Sequence, residues 1–158
     1  MSKAVSIRDA AARDSKILSA LAMRSKAYWG YSESFMNACI DELSVSTADI
    51  ADNACHYVVA ELDGEIIGFY SLEGLRQGEI ELGALFVDPG HIGTGTGRTL
   101  IERAKTHARE LGASILSIQG DPNATKFYRA AGAVETGRRE SESIRGRFLP
   151  VFQIELAS

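Results

Sequence analysis

The chain has 158 residues, 45% of them hydrophobic and 24% charged, which is the composition of one folded domain and excludes wholesale disorder. Seventeen Lys and Arg against 21 Asp and Glu leave a net charge of −4, which speaks against a duplex-DNA binder that works by neutralising phosphates. No apolar run approaches the roughly 18–20 residues of a membrane-crossing helix, and the opening residues contain no secretory h-region. The expectation is one domain over residues 1–158, in the cytoplasm, with no nucleic-acid or membrane partner. Cys39 and Cys55 stand in no metal or redox spacing and read as reduced thiols.

In chain order, Val5 to Arg8 reads as a short strand and Asp9–Asp14 leads into a helix, with Ile17, Leu18 and Leu21 as a stripe reaching about Met23. An aromatic connection follows, Tyr28-Trp29-Gly30-Tyr31. Ser32 then caps a second helix carrying Phe35, Met36, Cys39, Ile40 and Leu43 at spacings of three and four, and Thr47 caps a further short turn. From His56 the period changes to two. Asp63-Gly64 between the apolar runs Tyr57–Leu62 and Glu65–Leu72 predicts a hairpin, and Glu79 to Val87 supplies a third antiparallel strand. Downstream, Leu100, Ile101, Ala104, Ala108 and Leu111 stripe a helix that Gly112 ends. Ser114–Ile118 is a strand, Asn123–Ala131 a helix, and Ala133–Thr136 and Leu149–Leu156 the last strands. The fold class is α+β, with a mixed, mainly antiparallel sheet of about six or seven strands flanked by helices.

Most of the chemical information lies between the third meander strand and the long helix: Val87-Asp88-Pro89-Gly90-His91-Ile92-Gly93-Thr94-Gly95-Thr96-Gly97-Arg98. Glycines at alternate positions admit positive φ and close backbone approach. Successive N–H groups and the helix N-terminus then favour a phosphate. A Walker loop would place Lys-Ser/Thr where Arg98-Thr99 stands, and a dinucleotide fingerprint needs a different glycine spacing.

With those residues the sequence resembles the GNAT superfamily of acetyl-CoA-dependent N-acetyltransferases, whose signature is Q/R-x-x-G-x-G/A after a strand ending in Val-x-Pro. Gly95 and Gly97 match the two glycines; Ile92 stands where Gln or Arg is usual. A second segment, Asn123-Ala124-Thr125-Lys126-Phe127-Tyr128 through Gly132-Ala133, is similar to the family's Asn-x-x-x-x-Phe-Tyr-x-x-x-Gly-Phe stretch, with Ala133 in place of the final Phe. The resemblance covers the whole chain, with residues 1–55 on the acceptor side and 56–158 as the cofactor-binding core of a three-layer fold.

What the resemblance implies is acetyl transfer to an amine, directly within a ternary complex. Acetyl-CoA would lie against Ile92, Gly93, Thr94, Gly95, Thr96, Gly97 and Arg98, with its pantetheine arm along the backbone of Phe86 and Val87 and beside Asn123 and Phe127. Tyr128 is the expected acid for the departing thiolate and Glu81 the expected base, with Glu79 as its understudy. Strand alternation puts Glu79, Glu81, Gly83, Leu85 and Val87 on one face. Tyr28, Trp29 and Tyr31 are the expected acceptor-side residues, while Arg145 and Arg147 read as exposed hairpin arginines, with pairing to an acidic substrate group as the alternative. The histidines share no ligand spacing, so no metal is assigned. The same fold also accommodates a non-catalytic acyl-CoA-binding module. The acceptor is a small-molecule or peptide amine of open identity, and a homodimer through sheet edges stays open.

Overall fold

The computed structural model describes residues 5–156; residues 1–4 and 157–158 of the expected domain lie outside the described residues. Seven strands form one sheet: β1 (Ser6–Asp9), β2 (Cys55–Leu62), β3 (Glu65–Arg76), β4 (Glu79–Val87), β5 (Ile115–Gln119), β6 (Val134–Glu140) and β7 (Phe148–Glu155). Their spatial order is β1-β2-β3-β4-β5-β7-β6, and only β4 and β5 run parallel. That mixed, mainly antiparallel arrangement is the expected one.

The helices are α1 (Ser15–Ala27), α2 (Glu33–Ala38), α3 (Ile40–Leu43), α4 (Thr47–Ala51), α5 (Thr96–Glu110) and α6 (Thr125–Ala130). They cover both faces of the sheet, which leaves two cores. On one face Leu100, Ile101, Ala104 and Ala108 of α5 and Tyr128 of α6 pack on Tyr70, Leu72, Ile80, Leu82, Leu116 and Phe152. On the other, Leu18, Leu21 and Ala22 of α1 with Met36, Cys39 and Leu43 cover Val59 and Phe69.

The hairpin turn has Asp63 at φ 55° and Gly64 at φ 80°, the paired left-handed conformation that matches the twist of two antiparallel strands. Elsewhere the local geometry departs from the sequence reading. The second N-terminal helix breaks at Cys39 into α2 and α3, although Ser32 does cap α2 by accepting from the Phe35 N–H. Ser46, not Thr47, caps α4, in a reciprocal box with Asp49. Pro122–Ala124 forms a 3-10 turn before α6, so Asn123 does not open that helix.

α5 lies close on β3 because Gly68 has no side chain. A Cβ there would stand 2.9 Å from Leu100 Cδ1 and 3.0 Å from the Phe86 carbonyl oxygen. Leu100 is fully buried and has nowhere to retreat. Gly68→Ala is therefore expected to cost about 1–3 kcal/mol of stability, read from urea unfolding; an unchanged midpoint would mean that α5 shifts freely on the sheet.

Candidate active site

The site originates in one extra residue. Ser71 pairs with Ala84 and Leu72 with Leu82, so Gly83 bulges out of β4. Alternation inverts across it: Ile80 and Leu82 face α5, but so do Leu85 and Val87, while Ala84 and Phe86 pack on the α1 side. The expectation that Glu81 shares a face with Leu85 and Val87 is thus corrected. Glu81 points with Ala84 and Phe86 toward the N-terminal helices. The bulge also ends the parallel pairing. β4 and β5 stay in register only from Glu79↔Ile115 to Leu82↔Ile118. Beyond that point β5 continues on β7, at Gln119↔Val151, and the β4 edge from Gly83 to Val87 has lost its partner.

A cavity of about 750 Å³ occupies the opening. Phe86, Val87, Ile92, Gly93, Gly95, Gly97 and Arg98 line one part of it, and Asn123, Phe127 and Tyr128 line another. Gly93 and Gly95 take φ of 83° and 89°, and Gly95 is the residue from which α5 starts. Gly97 lets Phe127 approach, since a Cβ there would sit 3.1 Å from its ring. The loop therefore presents bare backbone and a helix N-terminus to the cavity, which suits a phosphate. Thr94 and Thr96 do not line the cavity. The Thr94 hydroxyl donates to the His91 carbonyl at 2.6 Å, and the two hydroxyls meet at 2.9 Å, bracing the loop from behind.

Tyr128 is 7% exposed, its ring held between Phe127 and Phe152, and no described residue holds its hydroxyl. Burial, with a smaller contribution from Asp121, pushes that hydroxyl well above the ordinary tyrosine value, so it stays protonated.

Asp121 is a site residue that the sequence reading did not assign. It accepts from the Tyr31 hydroxyl at 2.8 Å, from Lys26 Nζ at 3.2 Å, and from both the backbone N–H and the side-chain amide of Asn123. The Asn123 amide and the Arg147 guanidinium both donate to the Tyr31 oxygen, at 3.0 and 2.9 Å. Arg147 also stacks over Phe35, 4.8 Å from the ring centroid. It is turned inward, which corrects the exposed-hairpin reading, because its charge meets Asp121 and its plane meets an aromatic face. Burial alone would raise the Asp121 carboxyl, but the hydrogen bonds from Asn123, Tyr31 and Lys26 outweigh it and hold the group below the usual aspartate range. The same cluster pushes Tyr31 up to about 12, by burial first and by Asp121 second. Only the order of residues Asp121-Pro122-Asn123 hints at this in sequence; Tyr31 and Lys26 come from 90 and 95 residues away, and Arg147 from the entry to β7.

Of the three acceptor-side aromatics, Trp29 lines the cavity and Tyr31 stands behind it in the Asp121 cluster. Tyr28 is 54% exposed, away from the cavity, and meets Trp29 edge-on, so it does not join the site. Glu81 lines the cavity with Arg139 Nη1 3.7 Å away, whereas Glu79 does not line it and accepts from Gln153. Among the described residues no three His, Cys, Asp or Glu side chains are grouped to hold a metal ion, and no helix is long and apolar enough to cross a membrane.

Comparison with known proteins agrees with this geometry. A family model described as "Acetyltransferase (GNAT) family" matches residues 21–133. The chain is 30% identical over 118 residues to peptidyl-lysine N-acetyltransferase YjaB of Salmonella typhimurium, covering 75% of this chain and 76% of that one. It is 33% identical over 88 residues to the Escherichia coli protein of the same name, covering 56% and 54%. Among solved structures it is similar to a GCN5-related N-acetyltransferase from Rhodopseudomonas palustris, at TM-score 0.80 and 26% identity over 99% of both chains. It also shares the fold of the PaiA N-acetyltransferase of Thermoplasma acidophilum in complex with coenzyme A, at TM-score 0.76 and 19% identity over 96% and 99%. With its glycine loop, its opened sheet and these matches, the chain is an acyltransferase that belongs to the acetyltransferase (GNAT) family.

Proposed function

We propose that this protein moves the acetyl group of acetyl-CoA directly to an alkyl amine within a ternary complex, in the cytoplasm. The observation that carries the reading is the opening between β4 and β5, with the glycine loop, the unpartnered β4 edge and the unheld Tyr128 hydroxyl all facing one cavity. The residues fit the cofactor: loop N–H groups from Gly93 to Gly97 for the pyrophosphate, and the Gly83–Val87 edge for the amide groups of the pantetheine arm, as an added strand. Tyr128 gives its proton to the departing sulfur. The amine, with an ordinary pKa of about 10, must first lose a proton, and one carboxylate of Glu73 and Glu81, which are in register across β3 and β4, takes it. The two YjaB relatives are named for peptidyl lysine, so the acceptor we propose is an amine of the lysine side-chain type. Both cysteines are free thiols, in keeping with a reducing compartment.

Direct transfer has a kinetic signature. Initial rates with acetyl-CoA and amine both varied are expected to give intersecting double-reciprocal lines, and intact mass after acetyl-CoA alone is expected to be unchanged. Parallel lines with an added acetyl on the protein would establish a covalent enzyme intermediate instead.

A further inference from the structure

Glu73, at the far end of β3, is a carboxylate that lacks a counter-charge. Its register partner is Glu81, and both line the cavity. Its carboxyl reaches the cavity wall only because residue 83 is glycine: a Cβ there would stand 2.6 Å from Glu73 Oε1. The Cys55 thiol donates weakly to it, at 3.9 Å, and among the described residues no cation pairs with it. The neighbouring acids are better provided. Glu81 has Arg139 close by, and Glu42 accepts from the Ser143 hydroxyl. The charges that bear most on Glu73 are negative: Glu81 from β4, Asp49 from α4 and Glu142 from the β6–β7 connection, while the cation beside them, Arg139, lies against Glu81. Burial and then Glu81 push its carboxyl above the usual range. A half-buried carboxylate among other carboxylates is unfavourable until a cation arrives. Lys26, the basic residue that the N-terminal helices contribute to this cavity, is committed to Asp121. Tyr128 is buried, but its hydroxyl, held by no described residue, opens into the same cavity and marks where the reacting group must come.

We propose that Glu73 is the catalytic residue on which the acceptor's ammonium group docks and to which it gives its proton, so that the cavity selects a cationic amine and rejects one bearing a carboxylate. This rests on the acetyl-transfer reading given above. The ammonium enters as the missing partner of Glu73 and passes one proton to its carboxylate. The freed nitrogen attacks the thioester carbonyl carbon, forming the C–N bond as the C–S bond breaks. The sulfur takes the Tyr128 proton, and the second nitrogen proton goes back to the Tyr128 oxygen. Glu73 then releases its proton to solvent, so that one proton leaves per acetyl transferred. The other carboxylates do not take part in the bond changes. They set the field that favours a positively charged acceptor and penalises an anionic one.

The test uses the full chain saturated with CoA, titrated by calorimetry with cadaverine, a linear alkyl diamine, and with aminocaproate, which has a carboxylate in place of one amine. Wild type is expected to bind cadaverine at least about tenfold tighter than aminocaproate. Glu73→Gln is expected to lose about tenfold in cadaverine affinity while binding CoA as wild type does, which also shows that it is folded. Glu81→Gln is expected to lose less. With cadaverine as acceptor, Glu73→Gln is expected to flatten the acidic limb of the kcat/KM profile against pH. Equal affinity for the two probes, or a Glu73→Gln variant that binds cadaverine like wild type, would overturn the proposal and leave acetyl transfer intact. Failure of the wild type to bind CoA would instead overturn the transferase reading beneath it.

Discussion

Tyr128→Phe is expected to lower kcat by about a hundredfold or more and to leave acetyl-CoA affinity unchanged. The size follows from what general acid catalysis contributes, about 10²–10⁴ in rate. The selectivity follows from the packing. The ring is fixed by Phe127 and Phe152, with centroids 5.2 and 5.7 Å away, and Gly120 leaves it room, since a Cβ there would stand 3.0 Å from the ring. Phe keeps all of those contacts and removes one oxygen, so the fold and the cofactor cleft should survive. The departing thiolate has the basicity of a thiol of pKa about 8.5, and a hydroxyl held protonated well above that range is a donor throughout neutral pH. Pre-steady-state thiol release separates chemistry from product departure. A Phe variant with wild-type turnover would remove Tyr128 from the mechanism and leave solvent to protonate the sulfur.

The second large effect concerns stability. Asp121→Ala is expected to cost about 3–5 kcal/mol, because it leaves Lys26 and Arg147, whose side chains are 12% and 20% exposed, without their common anion. For a chain of this size that corresponds to a fall in Tm of roughly 10 °C. The cluster ties α1, the segment before α2, the β5–α6 connection and the entry to β7 into one frame, so losing it should also loosen the acceptor side of the cavity. Its pH dependence has a definite sign. The Asp121 carboxyl is held below its ordinary value of 3.8, so its contribution is fully present above that value and is lost as pH falls through the folded-state value. Asp14 beside Arg8 and Asp88 beside Arg24 are lowered for the same reason and add to the same acid limb. The stability gap between wild type and Asp121→Ala, measured by urea unfolding, should therefore narrow below about pH 4. A gap that stays constant into acid would show that the carboxylate charge is not what holds the cluster.

The elements that were legible in the sequence are those whose pattern is local. Asp63-Gly64 announced its hairpin, Glu79 to Val87 its strand, and the glycines after Pro89 the loop and the start of α5. Two motifs then led to the family. What was not legible depends on one residue inserted into a strand or on partners far apart in the chain. A period-two count along Glu79–Val87 cannot see that Gly83 bulges, and the bulge both reverses the face and opens the sheet. Glu73 gave no signal because its meaning comes from its register with Glu81 and from the space that Gly83 leaves. Arg147 looked like a solvated hairpin charge because Asp121, Tyr31 and Phe35, which turn it inward, are distant in sequence. Tyr28 failed for the opposite reason: an aromatic cluster in sequence need not share a wall, and only Trp29 of the adjacent pair reaches the cavity.

A crystal structure of the protein with CoA decides whether the bulge at Gly83 opens a cleft that brings the reacting sulfur to Tyr128. The pyrophosphate is expected against the N–H groups of Gly93 to Gly97, the pantetheine arm along Gly83–Val87, and the sulfur within hydrogen-bonding reach of the Tyr128 hydroxyl. CoA bound outside that opening, or seated in it with its sulfur away from Tyr128, would overturn this mechanism.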